Sequence, residues 1–279
     1  MRRIALAVCL TTLSVPSMAQ TVLENAYLGA SLSLKEAALE TKLGTPDPIQ
    51  KTMDVINAAM AGMKSRGSIG AGLVATLEGY GVVPAVGIGQ AAPCAIAVRE
   101  NDGKSQVYLL CSESIGKNTP AYASLHIAEQ AALLRLSNMP QSAEKDYMVV
   151  SLMTRSWIEM GGQIMTERKI GDRMQAWWDA HGSMEAYAQK RPDRPTLAKL
   201  LETNLKGQKT TAALIAEKQA RLAKAACESE ERGLYKEIRQ AKDVLDGLKR
   251  EEASLRAAAE SCSKFSEEED TWIQDRMPT

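Results

Sequence analysis

The chain has 279 residues, of which 34 are basic, 34 are acidic and 45% are hydrophobic. A chain of this length can bury one large core or two modest ones. The even charge balance lacks the basic excess of nucleic-acid-binding proteins and argues against that class. No apolar stretch after residue 20 reaches the length of a membrane-spanning helix, so no integral membrane segment is expected there.

Residues 1–19 have the pattern of a cleaved secretory signal peptide. Two arginines precede the apolar residues 4–13, and Ser17 and Ala19 are the small residues that a cleavage site needs. We therefore expect the mature chain to begin at Gln20 and to be exported to the periplasm or the extracellular space. Disulfides persist in such an oxidising compartment.

Residues 20–66 are predicted to form N-terminal helices. A helix-compatible segment at 22–43 ends in the Gly-Thr-Pro-Asp-Pro run of residues 44–48. Asp47 is a good N-cap for the next helix, and Pro48 suits its first position. Apolar residues then recur at intervals of four and three, which predicts one buried helix face: Ile49, Met53, Ile56, Met60 and Met63.

Residues 67–118 are predicted to be a small β region. Eight of the nineteen glycines lie in residues 62–89, and glycine at this density disfavours regular structure, so we expect turns, bulges and short strands. The runs at 70–75 and 87–92 loosely match dinucleotide-binding loops, but they lack the flanking strand and helix. No cofactor is therefore predicted, and a closely packed β region is favoured over a membrane-active segment.

The segment from Cys94 to Cys111 has the pattern of a β-hairpin closed by a disulfide. Asp102 and Gly103 form a favoured two-residue turn, and pairing outward from it brings Cys94 opposite Cys111. This pair falls at a non-hydrogen-bonded position, where facing side chains lie closest. The same face carries apolar residues for the core: Ile96, Val98, Val107 and Leu109.

Residues 119–191 are predicted to form a helical body. Thr119 and Pro120 begin one helix as N-cap and first-turn proline. A later helix is apolar almost all round over residues 147–158, so it should be central. The glycine pair at 161–162 should kink or end it.

Trp177, Trp178 and His181 are the candidate binding residues of this body. The simpler interpretation is that the tryptophans pack in the core and that His181 lies in a loop. The functional alternative is an exposed aromatic platform for a peptide or a glycan.

Few residues suggest catalysis or metal binding. His126 and Glu129 could place two ligands on one helix face, but no third ligand is evident, so no metal site is predicted. No nucleophile elbow occurs, and four paired cysteines would leave no thiol nucleophile. A glycosidase needs only two carboxylates, so the 34 acidic residues leave a hydrolase open.

Residues 191–195 form a proline-containing linker, and residues 196–265 have the composition of a long helix or coiled coil. One heptad frame, interrupted by Glu252, carries an apolar stripe: Leu234, Ile238, Ala241, Leu245, Leu248, Leu255, Ala259 and Cys262. Residues 266–279, with their run of four acids, are predicted to be a solvated acidic tail.

Cys227 and Cys262 would lie about 52 Å apart on one continuous helix, so they could not bond to each other in that geometry. In one solution the helix reverses near residues 244–247, and the two cysteines form an intramolecular disulfide. In the other, the helix continues, and each cysteine pairs with its copy in a parallel dimer. We favour the reversal because Gly247 lies near the midpoint.

The sequence therefore predicts an α+β, mainly α protein: a helical body, a small disulfide-linked β region and a long C-terminal helical hairpin or coiled coil. We expect an exported interaction or structural protein of the cell envelope, which binds another envelope protein or itself through residues 208–262. The alternative is an envelope hydrolase that acts on peptidoglycan or glycan through a carboxylate pair.

Overall fold

The computed structural model describes residues 47–101, 104–162, 172–180 and 183–276. The expected signal peptide, the cleavage site before Gln20 and the predicted helix at 22–43 lie outside the described residues. So do the hairpin turn at residues 102–103 and His181.

The described chain is α+β and mainly helical, as the sequence predicts. Its elements, in order, are α1 (Pro48–Arg66), α2 (Ser68–Gly79), β1 (Val83–Gly87), β2 (Cys94–Asn101), β3 (Lys104–Ser112), a 3₁₀ turn (Glu113–Lys117), α3 (Pro120–Arg135), α4 (Ala143–Glu159), α5 (Asp172–Asp179), α6 (Met184–Lys190), α7 (Leu197–Leu222) and α8 (Glu228–Arg276).

Helix α1 begins where its capping residues predict. The Asp47 side chain accepts a hydrogen bond from the Ile49 amide, and Pro48 occupies the first helical position. Its inward face is buried as expected at Ile56 and Met63. This face packs against α3 and the 3₁₀ turn.

The glycine-rich stretch contains a helix, so the prediction of turns and short strands is wrong for α2 but right for β1 and for the turns at residues 80–81 and 88–89. Leu73, Val74 and Leu77 are buried on one side of α2. Their burial at helical spacing outweighs the poor helix propensity of the glycines between them.

One of these helical glycines, Gly70, lies where another chain segment approaches closely. A Cβ at Gly70 would lie 2.7 Å from the carbonyl oxygen of Met63, so glycine lets α2 start tightly against the end of α1. The Glu159 carboxylate, at the end of α4, accepts hydrogen bonds from the amides of Ile69 and Gly70. It thereby caps the N-terminus of α2 from another helix.

The sheet has the strand order β1-β3-β2, with β1 parallel and β2 antiparallel to β3. The predicted hairpin register is confirmed, since Val98 faces Val107 and Cys94 faces Cys111. The two cysteines are bonded and buried. The inner face of the sheet covers the core through Leu109.

Helix α4 is the centre of the body, as predicted. It is buried on almost every side and contacts α2, α3, α5 and α6. The Ser142 hydroxyl caps its start by accepting a hydrogen bond from the Lys145 amide. Gly161 adopts a φ of +88° just after its end, a backbone conformation that favours glycine, and the chain turns away there.

The C-terminal region is a helical hairpin, but it does not reverse where we expected. Helix α8 runs without a break through Gly247, and the reversal lies at residues 223–227, between α7 and α8. The predicted turn at 244–247 is therefore wrong. Leu222 and Leu234, on either side of the actual turn, both lie on the inner sides of the two helices.

The second predicted disulfide is absent from the structure. Cys227 is an exposed thiol at the hairpin turn, and Cys262 is a buried thiol whose Sγ lies 3.7 Å from Sδ of Met148. One continuous helix separates the two, so the intramolecular bond cannot form. The burial of Cys262 against α4 also conflicts with its pairing to a second copy.

The predicted acidic tail is the last part of α8, and the expectation that it is solvated holds for residues 267, 268 and 270 but is wrong for Glu269. The helix continues through residues 267–270, and the Glu269 side chain has 0% exposure. Trp272, one turn further on, is buried as well. Helix geometry explains the difference, because only one residue in each run of three or four points toward the body.

Candidate functional site

The C-terminal half of α8 is held to the body by a buried stripe of side chains. Its members recur at intervals of three and four residues: Leu255, Ala258, Cys262, Phe265, Glu269 and Trp272. Most of these join the main core. This stripe anchors one end of a helix of 49 residues.

The polar member of the stripe, Glu269, has three hydrogen-bond donors around it. The hydroxyls of Tyr147 and Ser151 on α4 donate to its carboxylate, and Trp177 on α5 donates from its indole nitrogen at 3.1 Å. Burial raises the pKa of Glu269, and the bonds from Ser151 and Tyr147 oppose that shift. The cluster joins three helices and satisfies the carboxylate.

Arg155 lies next to this cluster, with a side chain that is 1% exposed. Its guanidinium carbon lies 5.2 Å from the ring centre of Phe265 and 5.4 Å from that of Trp272, so both rings stabilise its charge. Burial lowers the pKa of Arg155, while the charge of Glu269 opposes that shift. These contacts tie α4 to the last turns of α8.

A second polar network joins α3, α4, α5 and α6. Arg173 bridges the carboxylates of Glu129 and Asp146, at 2.7 and 2.6 Å, and the Tyr187 hydroxyl donates to Asp146 at 2.6 Å. His126 and Arg173 lower the pKa of Glu129. Both carboxylates therefore share the guanidinium of Arg173.

Beyond the body, α7 and α8 form a two-helix arm, defined here as residues 203–222 and 228–251. Inside it, Ile215, Ile238 and Ala241 make a small apolar cluster that is separate from the main core. The helical rise gives the two segments lengths of about 30 and 36 Å.

Polar contacts at the base of the arm fix the register of its helices. Buried Asn204 donates to the carbonyl oxygen of Leu248 at 3.1 Å and to the Glu251 carboxylate at 2.8 Å. Gln208 donates a hydrogen bond to the Glu252 carboxylate at 2.7 Å. Glu252 is the residue that interrupts the apolar heptad frame, and this bond gives it a partner. A buried amide in such a stripe specifies one alignment of the two helices.

The outer surface of the arm carries large apolar side chains that meet no core. Leu214 is 42% exposed, Val244 is 52% exposed and Tyr235 is 61% exposed. An ion pair between Lys218 and Glu237 bridges the two helices on one side of the arm. The arm is therefore a long, mostly solvent-facing surface with its own internal packing.

The sequence-predicted platform is not assembled as an exposed surface. Trp177 is 2% exposed and bonded to Glu269, so it belongs to the core, while Trp178 is only partly buried. The simpler interpretation, packed tryptophans, therefore holds for Trp177.

On α3, Nδ1 of His126 lies 4.0 Å from a carboxylate oxygen of Glu129, which is also paired with Arg173. Among the described residues, no group of three or more His, Cys, Asp or Glu side chains is placed to hold a metal ion. Because Arg173 is bound to Glu129, we interpret the contact between His126 and Glu129 as structural.

Comparison with known proteins gives no relative: no protein family matches the chain, and no curated protein or solved structure matches it either. In the part of the chain that the structure describes, no helix combines the length and apolar character needed to cross a bilayer.

Sequence reasoning missed the Glu269 and Arg155 cluster. Glu269 lies in a run of four acidic residues, a pattern that predicts exposure to solvent. Arg155 lies in an otherwise apolar helix, where nothing in the sequence indicates its partner. One signal was available, because Phe265 and Trp272 lie three and ten residues after Cys262, at helical spacing and one position before the heptad frame. A stripe that continues with aromatic residues predicts docking rather than a free tail.

Proposed function

We propose that this chain is an exported interaction protein of the cell envelope that binds its partner through the two-helix arm. The observation that carries the proposal is the arm itself, which packs as a separate small cluster and leaves Leu214, Tyr235 and Val244 in solvent. Exposed apolar side chains on a projecting element are typical of a protein contact.

The anchoring of α8 supports this function physically. The stripe from Leu255 to Trp272 fixes the helix in the body, and the same helix continues into the arm without a break. A surface on a rigid, continuous helix loses little conformational entropy when it binds. The arm therefore suits a stable contact better than a flexible tail would.

Export is part of the proposal and rests on one sequence feature and one structural feature. The first 19 residues have the signal pattern, and the Cys94–Cys111 disulfide needs an oxidising compartment to persist. Mass measurement of the exported form tests this part, with an N-terminus at Gln20 expected. A retained Met1 would contradict it.

The alternative, a hydrolase with a carboxylate pair, has less support from the side chains near Trp177. Glu269 is fully buried, so no substrate reaches it. Glu129 and Asp146 share the guanidinium of Arg173, and the lowered pKa of Glu129 is opposite to the raised value that a general acid requires.

Crosslinking in the native cell envelope tests the proposal. A photoreactive amino acid replaces Val244 on the arm, and in a matched control it replaces Leu133, an exposed apolar residue of α3. We expect a discrete crosslinked species from position 244 that is absent from position 133. Equal, diffuse crosslinking from both positions, or none from 244, would contradict binding through the arm.

A further inference from the structure

One side of the arm carries a second stripe, distinct from the stripe that joins α7 to α8. The Lys218–Glu237 ion pair marks this side. On α7 the residues at matching heptad positions are Thr203, Gly207, Thr210, Leu214 and Arg221. On α8 they are Gln240, Val244, Gly247 and Glu251. We name these residues the arm face.

The arm face is in line with the surface by which α8 docks on its own body. Val244 and Glu251 lie on the face, and Ala258, Phe265 and Trp272 continue the same seven-residue spacing. The last three are buried against the body. The body therefore lies on the same side of α8 as the arm face, and the arm face is exposed beyond the edge of the body.

The glycines of the face have no evident role inside the molecule. A Cβ at Gly247 would meet no atom within 4 Å, and one at Gly207 would make only ordinary contacts with Leu248. Each glycine nevertheless costs about 1 kcal/mol of helix stability relative to alanine. Small residues beside exposed Leu214 and Val244 leave room for another helix to approach.

We infer that the arm face binds the arm face of a second copy, with the two arms antiparallel. This inference rests on the proposed function and names the partner of the same arm. The direction follows from the body, which stands on the same side as the face. Parallel arms would bring both bodies into the same space, whereas antiparallel arms place each body beyond the other arm's tip.

The charges of the face fit this arrangement. Lys218 lies opposite Glu237, so in this antiparallel pair Leu214 lies opposite residue 241 and Arg221 opposite residue 234. Arg221 is therefore near the tip, whereas Glu251 is at the base. A twofold axis can place Arg221 of one copy at the same height as Glu251 of the other. The same axis places Leu214 and Val244 of one copy at the height of Leu214 and Val244 of the other.

The area of the face is near what a specific dimer needs. The helical rise over residues 203–221 gives a length of about 27 Å, and two neighbouring helices give a width of about 18 Å. Two such faces bury about 1,000 Å², close to the lower limit of specific interfaces. A reversible, concentration-dependent dimer is therefore expected.

Light scattering after size-exclusion chromatography of the mature chain, under conditions that reduce thiols but keep the Cys94–Cys111 disulfide, tests the inference. At about 100 μM we expect a dimer. Leu214→Asp with Val244→Asp should make it monomeric, and the control Ala216→Asp, at an exposed position on the other side of the arm, should leave the dimer intact. A monomeric wild type, or a dimer that survives the double substitution, would overturn the inference.

Cysteine crosslinking tests the direction without relying on the aspartate variants to fold. In a Cys227→Ser background, Val244→Cys should form a disulfide-linked dimer under mild oxidation, and the control Asp246→Cys should not. In the chain that keeps Cys227, efficient disulfide linkage between two copies of this residue would show that the arm tips lie together. That result would refute the antiparallel arrangement. If the chain is monomeric but the envelope crosslink from position 244 persists, the partner is another protein, and only this inference fails.

Discussion

Glu269 is the polar member of the buried stripe that joins the arm-bearing helix to the body. Its carboxylate accepts hydrogen bonds from the hydroxyls of Tyr147 and Ser151 and from the indole of Trp177. Removal of the carboxylate would leave these donors buried and unpaired. The strength of the anchor therefore depends more on satisfied polar groups than on apolar area at this position.

We predict that Glu269→Ala lowers the free energy of unfolding by about 3 kcal/mol or more, because each unpaired buried donor costs about 1–3 kcal/mol. Glu269→Gln should cost about 1 kcal/mol, since an amide can bond to the same groups. Chemical denaturation measures both. Glu267→Gln, on the exposed side of the same turn, is the control, and a loss there equal to that of Glu269→Ala would contradict the anchor.

The same residue should give stability a pH dependence of known sign. Burial raises the pKa of Glu269 above its ordinary value of 4.5, so the unfolded chain loses this proton at a lower pH than the folded chain does. The contribution of Glu269 to stability is therefore greatest below about pH 4.5 and falls as the pH rises through the folded-state pKa. The Glu269→Gln variant should lack this fall, and parallel curves for the two proteins would show that Glu269 does not titrate as described.

The two free thiols should differ sharply in reactivity. Cys227 is exposed, whereas Cys262 is buried and its pKa is raised to about 11, mainly by burial. At neutral pH a maleimide should therefore label Cys227 quickly and Cys262 only after unfolding. Peptide mapping after labelling identifies the modified residue. Fast labelling of both would show that α8 separates from α4 in the native state.

At the scale of single elements, the sequence predicts structure well where several local signals agree. The hairpin register follows from one turn and one alternation pattern, and the caps at Asp47 and Thr119 mark helix starts correctly. The sequence does not predict helix α2, because its glycines disfavour a helix and obscure the helical spacing of Leu73, Val74 and Leu77. Their burial depends on α1, α3 and α4, which a local pattern does not contain.

The position of the hairpin turn shows the same limit. Gly247 suggests a reversal, but the chain turns at residues 223–227, where Ala-rich sequence carries no strong turn signal. The two-helix alignment is set by Asn204 and Gln208, whose partners lie more than 40 residues away. Such long-range pairing is what single-sequence reasoning cannot assign.

Gly247→Ala tests the continuity of α8 through this position. A Cβ at Gly247 would meet no other atom, and alanine has the higher helix propensity. The substitution should therefore raise the free energy of unfolding of the monomer by up to about 1 kcal/mol. Gly161→Ala is the contrast, because a φ of +88° strains any other residue and should cost about 1 kcal/mol or more. Thermal unfolding at low protein concentration measures both, and destabilisation by Gly247→Ala would restore a turn at residue 247.

For the whole molecule, the division into body and arm has consequences for stability. The main core extends from α1 through the C-terminal half of α8, while the arm buries only a small apolar cluster around Ile215 and Ile238. Local stability follows the number of buried contacts, so the arm should open without the body. The anchor at Glu269 would then remain in place while the distal helices separate.

Hydrogen exchange on the mature chain, at a concentration low enough to keep it monomeric, tests this division. We predict that amides of residues 212–245 exchange at least tenfold faster than those of residues 147–157, which corresponds to about 1.4 kcal/mol less local stability. The reason is that α4 is buried on almost every side, whereas the arm buries only a small apolar cluster between its own two helices. Ile238→Ala should speed exchange across the arm and leave α4 unchanged. Equal protection of the two segments, or loss of protection in α4 on Ile238→Ala, would mean that arm and body unfold as one unit.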